Sequence, residues 1–157
     1  MSLQTVQNII HCVHADTGPS FWGPGDRYTF LVTGAQSGGA YFIMEAIVPP
    51  GGGPPPHIHR REEESFYVLE GQLDIRVGNE VFQASAGDFA HTPRDTVHGF
   101  RNVGTDKARL LLIFSPEGLE GILRRDVGAG PGPLGAPARQ HGTGREALPR
   151  RSTKIRT

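Results

Sequence analysis

The chain has 157 residues, with 16 Lys plus Arg against 16 Asp plus Glu, one cysteine, 22 glycines and 13 prolines. That length fits one domain able to bury a real core, and the balanced charge gives no footprint for nucleic acid or a membrane surface. One cysteine excludes an intrachain disulfide, and Cys12 is read as a small buried hydrophobe.

The first ten residues lack a basic stretch followed by an apolar run, and no segment is long and apolar enough to span a bilayer. A soluble cytoplasmic protein is the expectation. Abundant glycine and proline, without long helical periodicity, suit a turn-rich all-β protein.

Strand-like runs recur between turn signals. Residues 6–13 read as a first strand, and residues 16–26 as a Gly- and Pro-containing loop carrying Phe21 and Trp22. Residues 28–33 and 40–48 are predicted strands joined across 34–39. Residues 49–56 cannot form a central strand, because proline removes ladder donors. Residues 64–70 and 72–77 read as a tight pair turning at Glu70 and Gly71, and a second turn at Gly78 and Asn79 leads into 80–84. Residues 89–92, 97–103 and 107–115 complete the set, and Pro116 ends the last strand. Residues 117–125 are predicted to form a short helix with Leu119, Ile122 and Leu123 on one face.

Composition breaks near Asp126. Residues 1–125 are expected to form a single domain. Residues 126–157 are rich in Gly and Pro, then basic, and nearly lack large apolar side chains. Such a segment cannot offset its ordering entropy by burial, so a disordered, solvated tail is expected.

His57, His59, Glu64 and His98 carry the chemistry. Three imidazoles and one carboxylate suit a divalent transition metal, with Mn, Fe, Ni, Co, Cu and Zn all open. Four protein ligands on an octahedral ion leave two positions free, which suits a metal that reacts or holds a ligand. Alternation along a strand sends His57 and His59 to one side. Glu64 enters a second strand on the face of Phe66 and Val68, and His98 opens a third with Phe100 and Asn102 on its face. Strands curled around one interior bring all four ligands together.

The spacing His57-x-His59-x4-Glu64-x6-Gly71, followed by Gly87-x5-Pro93-x-Asp95-x2-His98-x3-Asn102, resembles the two cupin motifs. The stretch from about Trp22 to Glu117, with its run from Pro49 to Arg61, is most similar to small single-barrel cupins of the bacterial flavonol (quercetin) 2,3-dioxygenase-like type. Asp95 stands where that second motif usually has glycine. The resemblance implies a cupin double-stranded β-helix (a jelly-roll barrel), a metal-dependent dioxygenase on a flavonol-like or other hydroxy-carbonyl aromatic, and a homodimer. It also implies that Glu64 serves both as metal ligand and as catalytic base. Two alternatives stay open: a non-oxidative isomerase or lyase, for which His91, Arg94 and Arg101 are the nearby acids, bases and cations, and a non-catalytic metal or small-molecule binding protein. No helix-turn-helix segment accompanies the barrel, which argues against a DNA-binding regulator.

Strand parity sketches the substrate pocket. Phe42, Met44, Ala46 and Val48 share a face opposite Glu45, and Leu73, Ile75 and Val77 a face opposite Asp74 and Arg76. With Phe66, Val68 and Phe100 they form an apolar lining that is pocket near the ligands and plain core farther away, suited to a planar ligand with a few oxygen donors. His91, His11 and His14 are read as surface or edge residues. The run Arg60, Arg61, Glu62, Glu63 is read mainly as a solvated connection.

Overall fold

The computed structural model describes residues 12–23 and 25–125. The described chain forms nine strands and one short helix: β1 (Ser20–Trp22), β2 (Arg27–Val32), β3 (Phe42–Val48), β4 (Glu63–Glu70), β5 (Gln72–Val77), β6 (Glu80–Ser85), β7 (Phe89–Thr92), β8 (His98–Asn102), β9 (Ala108–Ser115) and α1 (Glu120–Arg125). They build an antiparallel sheet in the order β1-β2-β3-β9-β4-β7 and a second in the order β6-β5-β8. The expected all-β jelly roll is the observed architecture. The predicted strand at 6–13 falls almost wholly outside the described residues, and the tail from 126 lies entirely outside them. No described helix is long and apolar enough to cross a membrane.

The core follows from strand alternation. β3 and β9 bury every second residue, and the register stacks Phe42 on Phe114, Met44 on Leu112, Ala46 on Leu110 and Val48 on Ala108. On the other side of β9, Glu64, Phe66 and Val68 face Phe114, Leu112 and Leu110. Leu73, Ile75 and Phe100 close the interior from the second sheet. Each large apolar side chain buried this way contributes roughly 1.5–3 kcal/mol. An exposed ion pair contributes about 0–1 kcal/mol. The inward rows therefore hold the barrel, and surface pairs such as Arg60 with Asp95 are secondary.

Five expectations need correction. The supposed loop at 16–26 contains β1, an edge strand held by tertiary contacts: Phe21 stacks on Tyr28 at 5.3 Å and Ser20 Oγ hydrogen-bonds Thr29 Oγ1 at 2.8 Å. β4 and β5 are no hairpin. β4 pairs with β7 and β9, whereas β5 pairs with β6 and β8, so the chain changes sheet at Gly71. One residue is too short for a hairpin loop. Gly71 takes φ +90°, and a Cβ on it would lie 2.8 Å from the Ala108 Cα, so glycine suits the crossing. His57 forms an isolated bridge with His98 and belongs to no strand. Cys12 is exposed, on a segment that belongs to none of the described strands. Glu62, placed in a solvated run, is 6% exposed, because burial alternation continues one turn of the pleat before β4.

The helix is shorter than predicted, starting at Glu120, and Leu119 and Leu123 pack on the core as expected. The Ile122 side chain lies outside the described part.

Candidate metal centre

Two backbone segments meet at one end of the barrel. Gly51 N–H donates to Asn102 O and Asn102 N–H to Gly52 O, each at 2.9 Å. Further along, His57 N–H donates to His98 O and His98 N–H to His57 O, again at 2.9 Å. The Pro-rich segment is thereby tied to β8 without being a regular strand, which is how a chain poor in donors reaches the barrel wall. Gly53 sits at φ +126°, and a Cβ there would overlap the Phe100 carbonyl oxygen. Behind it, the fully buried Asp26 accepts from Gly53 N–H at 3.1 Å and from Tyr28 Oη–H at 3.0 Å. Burial raises the Asp26 pKa, against the opposing pull of the Tyr28 and Gly53 hydrogen bonds. Burial first, then the adjacent Asp26, raises that of Tyr28.

His57, His59, Glu64 and His98 come together there, their donor atoms within 4.8 Å of one another. Glu64 Oε2 lies 2.8 Å from His98 Nε2 and 3.0 Å from His59 Nε2, and His57 Nε2 lies 3.2 Å from His59 Nε2. His57 Nδ1 faces Pro55 O at 2.9 Å and His98 Nδ1 faces Thr96 O at 2.8 Å. A carbonyl only accepts, so both Nδ1 atoms carry the hydrogen and both Nε2 lone pairs point at the shared centre. Lone pairs converging on a carboxylate oxygen need a proton or a cation between them. Metal–ligand bonds of about 2.0–2.2 Å place neighbouring donors roughly 3 Å apart, which matches these separations. The residues fit a divalent transition ion.

The electrostatics agree. Glu64 is buried, which alone would raise its pKa. The hydrogen bonds and charge of His59 and His98 outweigh that and hold it below the ordinary value. His98 is also desolvated, yet Glu64 and the Thr96 carbonyl raise it. Burial lowers His57. The site thus favours ionised Glu64.

Asp95, in the place usually held by glycine, adopts φ +63°, a region that aspartate tolerates better than most residues. Its N–H donates to His59 O at 2.8 Å, and its carboxylate meets Arg60 at 3.1 Å. The turn here uses the left-handed conformation with aspartate in place of glycine.

The apolar residues assigned to a pocket, Phe42, Met44, Phe66, Val68 and Phe100, are all 5% exposed or less. They are packed walls. Phe66 stands 6.2 Å from the His98 ring and 5.8 Å from Phe100. Phe42 stacks on Phe114 at 4.4 Å, and Phe114 meets the His59 ring edge-on at 5.6 Å. Phe114 was not singled out from sequence; inward parity along β9 is the signal for it. His91 is 47% exposed and hydrogen-bonds Ser65 Oγ at 3.0 Å, as a satisfied surface histidine should. His14 is exposed as well.

Known proteins share this fold. Residues 44–114 match the cupin domain family. A polyketide synthase protein, CurC of Streptomyces cyaneus, is 40% identical over 50 residues, 32% of this chain and 32% of that protein. The matched stretch thus spans about a third of that relative. The polyketide cyclase RemF of Streptomyces resistomycificus superposes with TM-score 0.62 at 22% identity, over 69% of this chain and 81% of its own. An RmlC-like cupin of Shewanella frigidimarina gives TM-score 0.61 at 21% identity, over 74% and 98%. At such identities the structural likeness is one of fold. The chain thus shares the jelly-roll fold of these cupins, and its residues 44–114 are similar to the cupin domain family.

Proposed function

We propose that this protein is a metal-dependent dioxygenase acting on a flavonol-like or other hydroxy-carbonyl aromatic substrate. The observation that carries the reading is the convergence of three Nε2 atoms and Glu64 Oε2 on one centre, with four protein donors in all. On an octahedral ion that set leaves two positions for a substrate's adjacent hydroxyl and carbonyl oxygens. A divalent ion held there supplies Lewis acidity that makes such a hydroxyl easier to deprotonate.

The chain's own residues do the rest. Backbone carbonyls lock the His57 and His98 rings. Glu64 contacts both imidazoles through Oε2, which leaves Oε1 to take the hydroxyl proton. Its lowered pKa keeps it ionised as an acceptor, but a weak one, so the hydroxyl must be acidified first. Phe114 packs edge-on against the His59 ring from the core.

A second reading is metal-assisted, non-oxidative cyclisation of a polyketide, supported by the likeness to CurC and RemF. Such substrates also carry hydroxyls beside carbonyls, and Glu64 would again move a proton, without oxygen being consumed.

Oxygen uptake on adding quercetin to protein loaded separately with Mn, Fe(II), Co, Ni or Cu tests the first reading. Uptake that depends on the metal and on Glu64 supports the dioxygenase. No uptake from a fully loaded site removes flavonol oxygenation and favours the cyclisation reading.

A further inference from the structure

The three imidazoles of the metal centre are not held alike. His57 Nδ1 donates to Pro55 O and His98 Nδ1 to Thr96 O. His59 Nδ1 finds no acceptor among the described residues, although His59 Nε2 meets His57 and Glu64. Its side chain is 12% exposed, so solvent reaches the ring. An acceptor on the second ring nitrogen is what normally fixes the orientation of a metal-binding histidine. Without one, an imidazole can turn about its Cβ–Cγ bond, a broad torsion, and swing Nε2 off the shared centre.

Besides the other two imidazoles, the ring that meets His59 is Phe114, with the planes at 74° and the centroids 5.6 Å apart. Phe114 lies on β9, the strand between β3 and β4. Register places it opposite Phe42 on one side and opposite Glu64 on the other, so it is the inward residue next to a ligand. It is buried, and its ring stacks on Phe42 at 4.4 Å and 4°. Phe42 in turn leans on Phe30 at 6.3 Å. A buried ring on a central strand, backed by two others, does not move aside when the imidazole turns.

We propose that Phe114 is the positioning residue for His59. The stack Phe30, Phe42, Phe114 does for this ligand what the Pro55 and Thr96 carbonyls do for the other two. The inference rests on the metal-centre reading and not on the choice between oxygenation and cyclisation. Phe66 supplies the contrast. It is as deeply buried and stands 6.2 Å from the His98 ring, but His98 already has its carbonyl. Packing on His98 is therefore redundant for orientation, and packing on His59 is not.

The test uses the full chain loaded with Co(II), which shifts the imidazole N–H signals of its ligands out of the crowded proton NMR spectrum. In the parent chain two of the three signals should persist after transfer to deuterium oxide, protected by their carbonyls, and one should be lost quickly. Three signals of equal lifetime would overturn the proposal, because His59 would then be held as the others are. Metal affinity is measured by competition with a chelator. Phe114→Leu should raise the Kd about tenfold, as loss of an outer support does. It should also shift the fast-exchanging signal and leave the other two in place. Phe66→Leu should lower the melting temperature as much but keep the Kd near the parent's. If Phe114→Leu does not fold, Phe42→Leu, which loosens the stack one ring away from His59, is judged against the same control. An unchanged Kd in the stack variant, or an equal loss of affinity in Phe66→Leu, would overturn the positioning role and leave core stability as the whole effect. A parent chain that takes up no Co(II) would overturn the metal-centre reading itself, and the positioning role with it, a result distinct from either of these.

Discussion

His57 and His98 exchange two backbone hydrogen bonds, each 2.9 Å long, although 57 belongs to no strand. Their side chains therefore converge because their main chains are paired. Main-chain pairing thus fixes ligands from two distant parts of the sequence relative to each other, a support that metal sites draw on.

Gly53 shows how little slack that pairing has. Its φ of +126° is hostile to any side chain, and the Phe100 carbonyl fills the space a Cβ would need. Gly53→Ala is expected to cost about 1–3 kcal/mol from backbone strain alone, with more from the clash. It should also lower metal content, because the loop leads directly to His57. Calorimetry and metal analysis of the same sample check both; an unchanged metal content would show that the loop does not set the ligand geometry.

His98 and Glu64 should separate binding from chemistry. His98→Ala removes a donor and opens a buried gap beside Phe66, so bound metal should fall sharply. Glu64→Gln keeps the shape and a carbonyl donor atom but loses the proton acceptor. It should retain the fold while abolishing turnover. Full metal retention in the first variant would remove His98 from the ligand set, and normal turnover in the second would remove Glu64 as base.

Much of this was legible in the sequence. The spacing of His57, His59, Glu64 and His98 carried the centre, and alternation in residues 42–48 fixed which side chains point inward. What failed were relationships that local pattern does not encode. A Glu-Gly step between two apolar runs looks the same whether the chain folds back or crosses to another sheet, and only pairing partners distinguish these. β1 exists because Phe21 finds Tyr28, a contact set by packing. Glu62 looked solvated because charge runs usually are; its burial depends on the later residues around Gly118.

Asn102 should be the costliest polar residue to truncate outside the metal centre. It is 1% exposed, its amide donates to Val48 O at 2.9 Å and Asp106 O at 2.8 Å, and its oxygen accepts from Gly104 N–H at 2.9 Å. Asn102→Ala strands three backbone groups, at about 1–3 kcal/mol for each that water cannot reach. Part of the loss should appear as weaker metal binding, since the Asn102 backbone anchors Gly51 and Gly52. Chemical denaturation with and without metal measures both effects, and a variant as stable as the parent would show that these bonds are replaced on truncation.

Asp26 gives a pH signature of its own. Burial raises its pKa above the ordinary 3.8 despite the hydrogen bonds from Tyr28 and Gly53. A carboxyl that holds its proton more tightly when folded adds stability that is fully present below its unfolded value and is lost as pH rises through its folded value. Asp26→Asn has no such titration and keeps an oxygen to accept from Gly53 N–H. The stability of the parent chain relative to Asp26→Asn should therefore be greatest in acid and should shrink as pH rises. The metal ligands are identical in both proteins, so proton competition at the metal centre largely cancels from the difference. Paired melting curves from roughly pH 3 to pH 7 measure it. A difference that grows with pH would mean that the Tyr28 and Gly53 hydrogen bonds outweigh desolvation and that Asp26 is favoured as a charged anchor for the glycine loop.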